Sequence, residues 1–442
     1  MENITPLQSG EKSSRANLLL LPAEILSHLL SYLDFKSFQS VCCTCQHLHT
    51  LCQDDIHWKR FCKRYWLLKE CREGVSWRQY FMQWYHDYGN YIGVYREIRQ
   101  AWDRIEGYLK ENVPMTYDML NDGLSEKELD EVEESLNYKL PDDMRCSIRI
   151  HNGQKDATNS ELVMLLGQDV PPKGVFGSGM GYMSGNDQAY YWSELLNPVQ
   201  LHRSQLQSFV IGLGAIPITM ASVSHLISVM VSLDESKNGS KRGQILYMSG
   251  DGSYLMDPSA SYAVLADSYK EWLCQFSLDM VNGKYPVVNN ELFRFYHDPE
   301  CVEVTMHVKV TVGTMFLPFS HPDHPSFSYY ITMSMSESAP VSASCQLETR
   351  HWLIKHDYGV DEVNGEAVVG EYPIMRPGEK FSYVSRTNIA SPTGQMGGHF
   401  VFRNLETDER FQVVCPTFQL RAPRIVTFEE RVERLAELKK NQ

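Results

Sequence analysis

Between Cys42 and Cys62 the chain carries Cys42, Cys45, His47, His49, Cys52, His57 and Cys62. A Cys-x-x-Cys pair beside histidines offers the sulfur and nitrogen donors of a structural zinc site. The same spacing has a second reading. Cys42, Cys45, Leu48 and Cys52 share one face of a single helix with Phe38, where cysteine behaves as a small buried hydrophobe. The helical face accounts for the spacing, so these residues are read as core cysteines and no metal is expected. Two other clusters invite chemistry. Gly174 to Gly185 contains five glycines and could cradle a phosphate, but the Gly-Lys-Ser/Thr ending and a strand-to-helix frame are missing. It reads as a flexible surface loop. His321, Asp323 and His324 stand among Pro322 and Pro325, which hold the segment extended, and no neighbour completes a ligand set. It reads as a solvated hairpin loop. No nucleophile–base pair and no reactive-cysteine context is present, so catalysis is not expected.

The elements that must position these residues follow from periodicity. Pro22 sits where a first helical turn tolerates it, and Ile25, Leu26, Leu29, Leu30 and Leu33 form a wide apolar stripe at helical spacing. A second helical pattern runs through Phe38, Val41, Cys42, Cys45, Leu48 and Cys52, and a third holds Ile56, Trp58, Phe61 and Trp66. Three short helices in so few residues cannot bury every apolar face. Pro22, Ile25, Leu29 and Leu33 are therefore predicted to face a partner's groove. Tyr80 to Lys110 reads as one connecting helix. Ser125 and Glu128 form a capping box, a further helix follows Pro141 to about His151, and Gly153 can stop it. Beyond a junction at Pro286–Pro299, the period becomes two: Val304, Met306, Val308, Val310 and Val312, then Phe327, Tyr329, Ile331, Met333 and Met335. These read as half-buried antiparallel strands, with more around 351–354, 380–384, 399–402 and 411–420, the signature of a β-sandwich. Phe428 to Leu438 reads as a short docking helix or a frayed end.

The chain has 442 residues, 43% of them hydrophobic and 22% charged, with a formal net charge of -14. This composition suits several globular domains. The negative charge disfavours nonspecific attraction to nucleic acid or anionic membrane. The 11 cysteines are odd in number and lack framework spacing, which points to reduced thiols in the cytoplasm or nucleus. No signal-peptide core precedes them, so the sequons at Asn3 and Asn238 are read as chance. Ser204 to Leu233 has no charged residue, yet its glycines, Pro217 and hydroxyl residues split it into two apolar blocks. It reads as buried strands, not a membrane helix.

Several blocks carry family resemblances. Leu21-Pro22-Ala23-Glu24-Ile25, then Leu29-Leu30, Leu33-Asp34, Val41-Cys42, Leu48 and Trp58-Lys59 resemble an F-box. The resemblance implies docking of a Skp-type adaptor through Leu21, Pro22, Ile25, Leu29, Leu33, Val41 and Trp58. Ser125-Glu126, Val132-Glu133, Leu140-Pro141 and His151-Asn152-Gly153 resemble the opening of a SUKH (Smi/Knr) domain, which implies a protein-interaction module. Arg350-His351-Trp352, Val368 to Pro373, Pro377-Gly378-Glu379 and Ser391 to Gly398 resemble an ApaG domain. Bacterial members carry a Gly-x-Gly-x-x-Gly turn linked to pyrophosphate. Here Gly365 to Gly370 has Ala367 at the middle glycine and Glu366 before it, both of which oppose an anion. The segment reads as a β-turn, with no nucleotide or other cofactor expected.

The expected fold class is multidomain α+β: an N-terminal three-helix F-box (18–66), a helical connector (67–115), a central α/β SUKH-like domain (116–285), a C-terminal antiparallel β-sandwich of ApaG, fibronectin type III-like form (295–425), and a tail helix (426–442). The resemblances imply a substrate-recognition subunit of a Skp-cullin-F-box ubiquitin ligase. Its partners would be the adaptor, through it cullin and RING subunits, and protein substrates marked for ubiquitination and proteasomal degradation. Candidate substrate loops lie near His321 and near Ser391, Gly394 and Met396. The alternative is a scaffold outside ubiquitin ligation that uses the F-box only to dock an adaptor.

Overall fold

A computed structural model describes residues 18–155, 178–182, 188–195, 212–221, 227–249, 261–288, 291–317 and 324–441. Two compact units divide between Arg96 and Glu97.

In the first unit a 3₁₀ turn, Leu18–Leu20, leads to helices α1 (Ala23–Leu30), α2 (Phe35–Cys42), α3 (Gln46–Leu51), α4 (Asp55–Tyr65) and α5 (Trp77–Tyr88). Local chemistry sets their starts. The Asp34 side chain accepts from the Ser37 N–H at 2.7 Å, and Asp54 accepts from Ile56 N–H at 3.0 Å. Ser76 and Gln79 form a reciprocal capping box. The single helix expected through Phe38 and Cys52 is in fact two. Cys45 is extended (φ -157°, ψ 160°) and caps α3, while the Thr44 hydroxyl donates to the Val41 carbonyl at the end of α2. Hydroxyl side chains compete in this way with the helical ladder. Cys42, Cys45 and Cys52 therefore do not share one helical face. The helix expected from Tyr80 to Lys110 is also two: a 3₁₀ turn at Gly89–Tyr91 separates α5 from α6 (Tyr95–Asn112). Gly89 and Gly93 explain the break, since each weakens a helix by about 1 kcal/mol.

The second unit starts within α6 and continues through α7 (Pro114–Asp118), α8 (Glu126–Leu136) and α9 (Asp142–Ile148). The expected box at Ser125 and Glu128 is formed, and Asn137 ends α8 in the left-handed region. Helix α9 stops earlier than expected, with Gly153 beyond it at φ 68°. Strands β1 (Ser178–Tyr182), β2 (Gln188–Leu195) and β4 (Thr219–Ala221) form a small antiparallel sheet. Part of the stretch expected as a glycine-rich loop is thus strand β1; the rest lies outside the described residues. A larger sheet joins β3 (Ala215–Pro217), β5 (Ile227–Ser232), β6 (Ile245–Ser249) and β7 (Tyr262–Ala266). The described part of the uncharged stretch thus contributes β3, β4 and β5. Among the described residues no helix is long and apolar enough to cross a membrane. Helix α10 (Glu235–Asn238) follows β5, and α11 (Tyr269–Val281) follows β7. Three buried polar side chains link α6, α9 and α11: Trp102 Nε1 donates to Ser147 Oγ at 2.8 Å, which lies 3.1 Å from the Tyr269 hydroxyl.

A two-stranded ribbon of β8 (Val287–Val288) and β9 (Glu291–Leu292) precedes the sandwich. One sheet has the order β10 (Tyr296–Thr305), β11 (Val308–Leu317), β12 (Ser326–Met335) and β16 (Lys380–Asn388). The other runs β14 (Gly359–Glu366), β13 (Cys345–His356), β17 (Thr393–Asn404) and β18 (Arg410–Arg421), with β15 (Ile374–Met375) pairing β13. Val308, Val310, Phe327, Ile331, Trp352, Phe400 and Phe402 fill the space between them. The strand expected from Val304 to Val312 is a hairpin. Met306 and His307 turn at φ 47° and 69°, as a two-residue hairpin loop of primed type requires. After the sandwich, β19 (Arg424–Val426) pairs with β7 of the central sheet. The final helix, α12 (Phe428–Lys440), is capped by Thr427 and Glu430. Arg431 is buried, and a Cβ on Gly239 would lie 3.1 Å from its Cγ. Arg434 pairs with Glu235 of α10. The tail is docked, not frayed.

Candidate adaptor-docking site

Helix α1 is apolar on more than one side, and only one side is covered. Leu26 and Leu30 are buried at 2% and 4% exposure, whereas Ile25 and Leu29 stand at 47% and 43%. Leu21 and Pro22 are also exposed. The Pro22 carbonyl accepts the first helical bonds, from Ile25 and Leu26 N–H at 3.0 and 3.1 Å.

Helix α4 fixes the covered side. Ser27 Oγ lies 3.1 Å from His57 Nε2. Arg60 donates to the carbonyls of Leu30, the last residue of α1, and Leu33 in the turn beyond it, at 3.1 and 3.3 Å. The Tyr65 hydroxyl accepts from Phe35 N–H at 3.1 Å. Burial, and next the Arg60 charge, lower the pKa of His57, so the neutral ring is favoured. Beneath α1 an aromatic core forms: Phe38 and Phe61 meet edge-on at 4.9 Å between ring centres, and Phe35 lies 4.7 Å from Phe81. Asp55 accepts from Trp77 and Arg78 N–H at 3.0 and 3.2 Å, so a first-turn carboxylate of α4 caps α5.

The expected adaptor contacts divide into three groups. Leu21, Pro22, Ile25 and Leu29 present apolar surface, and Leu33 and Val41 are half-buried. Trp58 is a correction: it is 7% exposed, its indole N–H donates to the Cys52 carbonyl at 2.9 Å, and its ring packs on Phe38 and Phe81. It supports the site from inside. The sequence reading missed Leu18, Leu19, Leu20, Tyr32 and Ile56, all exposed apolar side chains. The triple leucine before Leu21 was the available signal for the first three.

The cysteines sit in different settings. Cys52 and Cys62 are fully buried, and desolvation raises each thiol to about 12. Cys43 is exposed and Cys45 half-buried. Among the described residues no group of three or more His, Cys, Asp or Glu could hold a metal ion.

The expected substrate loop in the sandwich also needs correction. Gly394 and Met396 lie within β17, and Met396 is 1% exposed. Ser391 is buried, accepting from Asp357 N–H at 3.2 Å and donating to the Thr393 carbonyl at 2.6 Å. The glycines there permit close strand approach: a Cβ on Gly398 would lie 2.0 Å from the His351 carbonyl oxygen. His321 lies outside the described residues. At the other glycine-bearing segment, Val368 and Glu371 exchange backbone bonds of 3.0 and 2.8 Å around Val369 and Gly370, both at positive φ. That is a β-turn, as expected.

Three family models match the chain: F-box-like at residues 18–64, the SMI1/KNR4 family (SUKH-1) at 123–275, and the ApaG domain at 319–404. Across 94% of its length the chain is 33% identical to F-box only protein 3 of Bos taurus, covering 87% of that protein. Identity to the Homo sapiens protein of that name is also 33%, over 92% of this chain and 84% of the other. The C-terminal part is 38% identical to protein ApaG of Acidithiobacillus ferrooxidans, over 26% of this chain and 90% of that one. With F-box-like, SUKH-1 and ApaG models matched in that order and 33% identity to F-box only protein 3 over 92–94% of its length, the chain belongs to the F-box only protein 3 family.

Proposed function

We propose that this chain is a non-catalytic substrate receptor of a Skp-cullin-F-box ubiquitin ligase, at work in the cytoplasm or nucleus. The observation that carries the reading is the apolar surface left open by Leu21 and Pro22 just before α1 and by Ile25 and Leu29 on it. A helix face of this kind suits an adaptor groove, and completing the burial of each side chain there contributes roughly 1 kcal/mol or more. The adaptor would in turn bring cullin and RING subunits. The other domains would hold a target near the ubiquitin-loaded enzyme, raising its effective concentration. Ubiquitination and proteasomal degradation of that target are the expected outcome.

The test is affinity purification of the full chain from cells, with and without Ile25→Asp and Leu29→Asp. Recovery of a Skp-type adaptor, cullin and RING subunit with the native chain alone supports the reading. Recovery of adaptor without cullin would favour a scaffold outside ubiquitin ligation.

A further inference from the structure

In the sandwich, a cavity of about 340 Å³ opens between the two sheets where β16 and β14 lie. Its walls are mixed: Tyr329, Ile354, Val368 and Met396 supply aromatic and aliphatic surface, and Arg350, Ser385, Arg386 and Thr387 supply polar surface. Two lining residues carry polar atoms that are buried and unpartnered among the described residues: the indole N–H of Trp352 and the hydroxyl of Tyr383. Trp352 is 2% and Tyr383 4% exposed. Native interiors rarely leave buried donors unpaired, and such groups call for an unseen partner.

A third lining residue supplies charge. Arg350 donates to the backbone carbonyls of Glu366 and Ala367 at 2.7 and 2.5 Å. No carboxylate pairs with it among the described residues, although other sandwich arginines do pair, as Arg403 and Arg410 do with Glu348. The placement depends on Gly365, the cross-strand neighbour of Arg350, since a Cβ there would come within 3.0 Å of the guanidinium carbon. The carbonyls orient the cation without neutralising it.

We propose that this cavity binds a carboxylate carried on an apolar stem. The carboxylate would accept from Trp352 Nε1 and the Tyr383 hydroxyl with Arg350 as counter-charge, and the stem would pack on the aromatic and aliphatic walls. A monoanion suits the site because its single charge matches the one half-buried guanidinium, Arg350, whereas a phosphate dianion would carry a second buried charge that Arg350 does not offset. The ligand is either a small free carboxylic acid or the C-terminal carboxylate of a polypeptide. The inference does not rest on the adaptor reading, because the cavity belongs to the second unit.

The experiment titrates the full chain by calorimetry with phenylpropanoate, its amide, a hexapeptide ending in leucine with free or amidated terminus, and pyrophosphate. Phenylpropanoate is expected to bind with Kd of about 0.1–1 mM, and its amide not at all. Tyr383→Phe and Trp352→Phe each remove one donor and should weaken binding about tenfold. Two aromatic variants keep the test usable should one misfold. A free-acid peptide binding more tightly than phenylpropanoate assigns the site to polypeptide termini, and the reverse order assigns it to small acids. Amides that bind as well as acids, pyrophosphate that outcompetes both, unchanged binding by both folded variants, or no binding by any acid would each overturn the proposal.

Discussion

On α1, Leu26 and Leu30 are buried while their immediate neighbours Ile25 and Leu29 are nearly half exposed; on β12, Phe327, Tyr329, Ile331, Met333 and Met335 are all buried. The two elements are comparably apolar. The difference lies in what arrives to cover them. A strand shows one face to the core, and the second sheet of the sandwich closes over it completely. A helix with apolar residues on more than one side needs more than one partner, and the N-terminal unit has α4 and its aromatic neighbours for one side only. Leftover apolar surface in a small helical unit therefore marks where another molecule belongs. The exposed valines of the sandwich mark something else. Val360 and Val363 lie on β14, at the end of its sheet's strand order, an edge that carries Asp361, Glu362 and Glu366 among them. Charged side chains on an edge strand discourage pairing with other chains.

The largest expected effect would break this contrast at its open end. Ile25→Asp with Leu29→Asp should lower affinity for a purified Skp-type adaptor by about 1,000-fold or more, since charges would enter a desolvated groove. Each change is at an exposed site, so unfolding stability should move by only about 0.5 kcal/mol per site. Adaptor binding that survives in a folded double variant would remove the basis of the comparison.

Next come the closed interiors. Trp58→Ala and Phe400→Ala should each destabilise by about 3–5 kcal/mol in denaturant unfolding. Only the first should impair adaptor binding, because Trp58 packs on Phe38 within the helical unit, on the helix whose His57 and Arg60 hold α1, and Phe400 lies in the sandwich core. Equal loss of adaptor binding in both would show that the two regions are not independent in this sense.

Gly398→Ala should cost roughly 1–3 kcal/mol, through overpacking against the β13 backbone. A neutral result by thermal melting would mean that β13 and β17 can separate without penalty.

The smallest effect concerns the central region, whose interior is partly ionic. Glu133, 3% exposed, accepts from Lys139 at 2.6 Å, Arg145 at 2.7 Å and Leu140 N–H at 2.9 Å. Burial alone would raise its pKa, but these donors together hold it below the usual 4.5. A carboxylate depressed in the folded state contributes stability above its unfolded pKa and loses it as pH falls through the folded value. Urea midpoints of the native chain should thus decline below about pH 4.5 more steeply than those of Glu133→Gln. Identical slopes would remove Glu133 from the acid response.

Much of this was legible in the sequence. Ser125 with Glu128 announced the start of α8, Pro22 the start of α1, and the alternation from Phe327 to Met335 the whole of β12. Each signal is local: a cap needs only its third neighbour, and a strand face needs only every second residue. Breaks were harder. The pattern through Cys42, Cys45 and Cys52 fits one helical period whether or not the chain turns at Cys45. The alternation from Val304 to Val312 runs on through the Met306–His307 turn, where its sense inverts: Val304 pairs across from Lys309 and is 62% exposed, while Val308 is buried. At Gly394 to Gly398 the composition of a loop belongs to a strand, because the close approach of β13 and β18 excludes side chains.

The sequence by itself determined the starts of α1 and α8, the buried face of β12, and that the first unit holds more apolar side chains than its short helices can bury. Which of those side chains stay uncovered was decided only by tertiary structure. Ser27 meets His57, Arg60 reaches Leu30, and Tyr65 reaches Phe35, all across about 30 residues of chain. Likewise, β19 crosses from the sandwich to pair with β7. Burial depends on which segments arrive from a distance, and periodicity extends only to the nearest turn.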